Sequence, residues 1–111
     1  MERAIAIRKA NDLARTAMGI ASMLVMTRGV MSLPQKAQSK IREQVELFDH
    51  FTEDNDPYKE HDFGSFTYDD EETVQKIFWK IDYYDRSLTC GADPLDPNCR
   101  RVLTIMLAEE Y

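Results

Sequence analysis

The chain has 111 residues, 43% of them hydrophobic and 31% charged, and carries a net charge of −6. That length supports one core and one domain spanning residues 1–111, with the balance of an ordinary soluble globular protein. It excludes a second domain of comparable size. The charge is uneven: residues 1–48 hold 8 Lys or Arg against 4 Asp or Glu, and residues 49–111 hold 6 against 16. An acidic surface repels phosphate backbones, so direct nucleic-acid binding is not expected and a basic protein surface is the expected charged ligand. The plainer reading of the excess is solubility.

Met1 to Ala17 is dotted with charge and has no apolar h-region, so it does not read as a signal peptide. The longest weakly polar run, Ala17 to Met26, is about half the length a bilayer needs, so no membrane partner is expected and the predicted location is the cytoplasm. Cys90 and Cys99 are then expected as reduced thiols, and two cysteines without a second pair do not make a zinc site.

In chain order, Ile5, Ala10, Leu13, Ala14 and Ala17 fall near helical spacing with Arg and Lys between them, which predicts an amphipathic helix over 4–17. Ile20 to Thr27 has apolar residues at both parities and is bracketed by Gly19 and Gly29; it reads as a strand covered on both faces, with a buried helix as the competing reading. Ser32-Leu33-Pro34 opens a second helix, to about His50, with Ala37, Ile41, Val45 and Phe48 on one stripe. Phe51 to Asp62 breaks every period and contains the turn signal Asn55-Asp56-Pro57. Phe63 to Tyr68 reads as a strand, Asp69 to Glu72 as a tight loop, and Thr73 to Leu88 as a long strand. In that strand Ile77, Trp79, Ile81 and Tyr83 alternate with Phe78, Lys80, Asp82 and Tyr84, the pattern of a strand with one well-buried face. Asp96-Pro97 reads as a cap and first turn, and Val102, Leu103, Met106 and Leu107 as the inner face of a closing helix. The predicted class is α+β, in the order α-β-α-β-β-α: a three-stranded, mainly antiparallel sheet with about three packed helices.

These residues also carry a resemblance. The run Phe78-Trp79-Lys80-Ile81-Asp82-Tyr83-Tyr84-Asp85, then Asp96-Pro97 and Arg100 through Tyr111, closely resembles a small bacterial family catalogued as domain of unknown function 3768. Asn11-Asp12 with Arg15, Thr27 with Gly29-Val30, Asp54-Asn55-Asp56-Pro57 and Glu60-His61-Asp62-Phe63-Gly64 match its pattern too, so the resemblance covers nearly the whole chain. It implies one compact domain, a bacterial cytosol and a setting among plasmids, prophages and other mobile elements. It brings no activity with it. The pair Cys90 and Cys99 departs from the pattern.

Three chemistries are testable against the residues. Asp54, Asp56, Glu60, His61 and Asp62, beside Glu53, offer oxygen ligands and one imidazole within ten residues, the set a small metal-dependent hydrolase needs. The run fails the EF-hand spacing, and a solvated turn whose Asp side chains cap local N–H groups is the simpler account. For acyl transfer, Glu60-His61-Asp62 puts a base beside carboxylates, but adjacent residues on an extended chain point apart, and neither Cys90, Ser65 nor Thr67 has the context of an activated nucleophile. A nuclease-like carboxylate-x-Lys is broken because Phe78 stands two residues before Lys80.

No cofactor is expected, and an interaction role is expected over an enzymatic one. The expected partner is another protein, or a second copy of this chain. With a short loop at 69–72, Gly64 is predicted opposite Ile77, Phe63 opposite Phe78 and His61 opposite Lys80. The interaction surface is then His61, Phe63, Phe78, Lys80, Asp82 and Tyr84, because core faces rarely carry Lys and Asp whereas interfaces mix aromatics with polar groups. The competing expectation is a helix covering Phe63 and Phe78.

Overall fold

The computed structural model describes residues 2–111. It is α+β: helix α1 (Glu2–Thr16), strand β1 (Met23–Met26), a one-turn helix α2 (Arg28–Met31), helix α3 (Gln35–Glu46), strands β2 (Phe63–Asp69), β3 (Val74–Tyr84) and β4 (Arg100–Leu107), and a closing 3₁₀ turn over Ala108–Glu110. No helix among the described residues is long and apolar enough to cross a membrane.

The sheet has four strands, ordered β1-β4-β3-β2, rather than the three expected. β3 sits inside it, antiparallel to β2 on one side and to β4 on the other, and β1 lies parallel to β4 at the far edge. The expected closing helix is β4. Leu103, Met106 and Leu107 mimic a helical stripe, but Leu103, Ile105 and Leu107 also alternate, and these three face the core against Ile81, Trp79 and Ile77. With Val102, Thr104 and Ile105 β-branched and a strand edge of β3 available, period two wins. Asp96-Pro97 therefore makes a turn, with the Cys99 N–H bonded to the Asp96 carbonyl, and Cys99 precedes a strand, not a helix. Both cysteines are free thiols.

β1 is shorter than expected and covered on one face only: Leu24 and Met26 pack against the core while Met23 and Val25 look outward. The second helix stops at Glu46, ahead of the expected His50, because the Arg15 guanidinium donates to the carbonyls of Val45 (3.1 Å) and Glu46 (2.9 Å) and closes its end. Phe48 nevertheless stays in the core. At the start of α3 the Ser32 hydroxyl turns back to the Gly29 carbonyl, and Gln38 bonds the carbonyls of Met31 and Leu33 instead.

The core lies between the sheet and one helical layer. Ala14 of α1 and Ala37, Ile41 and Val45 of α3 meet Ile77, Trp79, Ile81, Leu103, Ile105 and Leu107. Trp79 is wholly buried, edge-on to Phe48 at 5.5 Å and to Phe51 at 6.2 Å. Its cross-strand partner is Gly64, where a Cβ would fall 2.4 Å from Nε1 of the indole and 2.8 Å from the Phe48 ring. The hairpin register sets Phe63 opposite Lys80, two residues from the expected Phe63 opposite Phe78, and a shift of two keeps every β2 and β3 side chain on its expected face.

Trp79→Ala is expected to lower the unfolding free energy by roughly 3–5 kcal/mol in chemical denaturation. Gly64→Ala, which adds one carbon between two rigid rings, is expected to cost about 1–3 kcal/mol by the same measurement. A Gly64→Ala protein as stable as the parent would show that the rings can move aside.

Candidate protein-interaction face

Two places collect the residues singled out in the sequence. One is a polar junction on the helical side of the sheet. Asn11 of α1 is fully buried; its amide donates to the Glu60 carbonyl (3.0 Å) and the Tyr83 hydroxyl (2.8 Å), and its oxygen accepts from Arg101 Nε (2.7 Å). Burial pushes the Tyr83 phenol up to about 12, against the opposing hydrogen bond from Asn11. Next to it, His61 Nδ1 lies 2.8 Å from Asp12, His61 Nε2 lies 3.5 Å from Asp56, and the imidazole stacks on Phe51 with ring centroids 3.6 Å apart. The chain can place His61 there because Lys59 and His61 adopt left-handed backbone (φ 59° and 54°), held by the buried Asp56 carboxylate accepting from the N–H groups of Glu60 and His61. His61 therefore leaves the strand face on which the alternation put it.

Of the acidic-loop candidates, the fold brings Asp56 and His61 into contact, with both Asp56 oxygens already engaged, and leaves Asp54 exposed. Among the described residues, no group of three or more His, Cys, Asp or Glu is arranged to hold a metal ion. Ser65 and Thr67 lie on the opposite face of the sheet from His61. Cys99 is pushed up by burial, away from thiolate character. The Asp62 carboxyl is raised first by burial and further by Asp56 and Asp82, against its own backbone hydrogen bond; Glu60 is raised by burial and by Asp62. The Asn11, Tyr83 and Arg101 contacts are directed inward and hold the fold, whereas Asp56 and His61 also line an open pocket of about 380 Å³ with Arg8, Phe51 and Lys59.

The second place is the sheet face turned away from α1 and α3. β3 supplies Phe78, Lys80, Asp82 and Tyr84, β2 supplies Phe63 and Ser65, and β4 supplies Val102, Thr104 and Met106. None of these belongs to the core cluster that the helices cover, except that Met106 is buried locally. Phe63, Phe78 and the C-terminal Tyr111 form a cluster of three edge-to-face rings with centroids 5.3–6.0 Å apart. Beside it the Lys80 ammonium is hydrogen-bonded to Asp82, which raises the lysine above its usual range and keeps it cationic. A shallow pocket of about 350 Å³ lies over Lys80, Asp82, Met106, Glu110 and Tyr111. Five of the six expected surface residues share this face; His61 does not. The sequence reading missed Val102, Met106 and Tyr111 because it took β4 for a helix. The alternation of Leu103, Ile105 and Leu107 was the available signal.

An antiparallel sheet often leaves one face to water, but then its outward positions are polar. Here rings, methionine and valine stand among Ser65, Thr104 and one ion pair, the mixture of aromatic and polar groups that contact surfaces carry. Fold and face together define a small α+β protein with a single helical layer and an open, aromatic sheet face. The chain belongs to the DUF3768 family, described as a protein of unknown function, whose sequence profile matches residues 26–110. No curated protein and no solved structure matches it.

The raised Asp62 gives a pH test with a definite sign. Burial disfavours its ionised form, so the folded protein carries a cost above the folded-state pKa that is relieved as pH falls through it. Asp62→Asn is therefore expected to raise the melting temperature at neutral pH, with the gain shrinking toward the acidic range. A variant that melts lower at neutral pH would mean that the carboxylate's own hydrogen bond outweighs its desolvation.

Proposed function

We propose that this chain is a non-enzymatic interaction protein of the bacterial cytosol that binds a basic surface of another protein through the open sheet face. The observation that carries this reading is the sheet face turned away from α1 and α3: a three-ring cluster with an adjacent Lys80–Asp82 pair, edged by the closing 3₁₀ turn and Tyr111. Its chemistry fits a partner that offers apolar side chains at the centre and cations at the rim. β2, β3 and β4, which build nearly all of the face, come from the half of the chain with 16 acidic against 6 basic residues. The acidic excess belongs to the chain as a whole and favours encounter with a cationic partner, while the face itself, with Lys76, Lys80 and Arg100 beside Asp69 and Asp82, is near neutral and its aromatic centre supplies contact area once water is displaced. The mobile-element setting that the family resemblance implies makes a host protein the expected partner, with the chain as an accessory factor or inhibitor.

Substituting Lys80 and Tyr84 together by Ala is expected to leave the melting temperature nearly unchanged, since both side chains lie outside the helical core, and to weaken partner binding. The measurement is a pull-down from the native host with parent and variant side by side, read by mass spectrometry. Calorimetric titration of the enriched partner at two salt concentrations follows. Equal binding by parent and variant, or unfolding of the variant, counts against the reading.

A further inference from the structure

We propose that the cavity where β1 and β4 begin binds a small organic anion, an oxyanion head carried on a short apolar body. The cavity measures about 490 Å³ and is lined by the turn at 19–24 together with Cys99, Arg100 and Arg101. It lies at the end of the sheet and does not depend on the aromatic face. In a chain with 20 acidic and 14 basic residues, this wall carries two arginines and no carboxylate.

Arg101 is half-buried, with its guanidinium 5.2 Å from the centroid of the Tyr83 ring. Its Nε donates to the Asn11 oxygen, Nη2 to the Pro94 carbonyl (2.7 Å) and Nη1 to the Cys99 sulfur (3.9 Å). All of these partners are neutral, and one N–H on each terminal nitrogen is left over. A guanidinium is always charged, and a half-buried charge without a counter-ion is costly. Among the described residues no carboxylate forms an ion pair with Arg100 or Arg101. In the loop before β4, Asp93 is taken by Arg3 and Asp96 accepts from the Asn98 N–H. A bound anion supplies the missing counter-charge. Arg100, exposed on the same cavity, adds a second guanidinium, and the planar fork of each suits a carboxylate or a phosphate. The carbonyls that end α1, which would repel an anion, are engaged: Ala14 by the Ser22 hydroxyl, Ala17 by the N–H groups of Ile20 and Ala21. The apolar body follows from the rest of the lining, where Ile20 is 92% exposed and Met23 38%. Apolar walls with a few convergent polar groups select an amphiphilic ligand over a bare ion.

Amide NMR titrations of the unmodified protein with acetate, octanoate, inorganic phosphate and hexyl phosphate test the site. The alkylated anions are expected to shift the amides of 19–24 and 99–101 and to bind about tenfold or more tighter than their bare head groups. The tighter of octanoate and hexyl phosphate assigns the head. Arg100→Ala is expected to melt like the parent and to weaken binding about tenfold or more, whereas Lys80→Ala on the aromatic face binds as the parent does. Absence of shifts with every anion overturns the proposal. So does equal binding of bare and alkylated anions, or undiminished binding by Arg100→Ala. If Arg100→Ala does not fold, hexyltrimethylammonium decides on the parent: the cation is expected not to bind, and binding equal to that of octanoate overturns the proposal.

Discussion

A buried indole needs a floor without a Cβ, and Gly64 provides it directly across the ladder from Trp79. A tryptophan buries about 150–250 Å², which at about 25 cal/mol per Å² contributes about 4–6 kcal/mol. Its Nε1 is buried without a partner. An unmet donor costs about 1–3 kcal/mol, so the ring remains strongly favourable where it lies. Once it is there, Phe48 and Phe51 close on it edge-on, and the Arg15 guanidinium sits 5.6 Å from its centroid. The residues that follow α3 and the last turn of α1 are thereby drawn onto the same side of the sheet. A chain of this size has one helical layer to spend, and spending it around Trp79 leaves the other face open.

The polar junction fixes the angle at which that layer docks. A fully buried Asn with both ends of its amide satisfied ties α1 to the loop before β2, to β3 through Tyr83 and to β4 through Arg101. Arg15, also buried, reaches the end of α3. Apolar packing alone tolerates small rotations of a helix on a sheet. Directional hydrogen bonds in a low dielectric do not, and a partly satisfied network is penalised heavily enough to select one arrangement. The residues on which the family resemblance rests at 11–15, 56 and 60–61 meet here, which gives a structural reason for their presence together that involves no chemistry on a ligand.

What was legible in the sequence follows from how local its cause is. The period-two run through Trp79 stated its strand and both its faces. The register came out two residues away because it is set by the turn, where Asp70 accepts from Glu72 and Thr73 and Glu71 takes a left-handed conformation. β4 was obscured because Leu103, Met106 and Leu107 satisfy a helical stripe as well as Leu103, Ile105 and Leu107 satisfy a strand. Only the free edge of β3 decides between them, and that is a tertiary fact. His61 was assigned by extrapolating an alternation past Asp62. The left-handed turn at 59–61 depends on Asp56, a carboxylate whose burial no local pattern betrays. For β1, apolar residues at both parities suggested two covered faces, while the fold sets it at an edge with Met23 and Val25 outward.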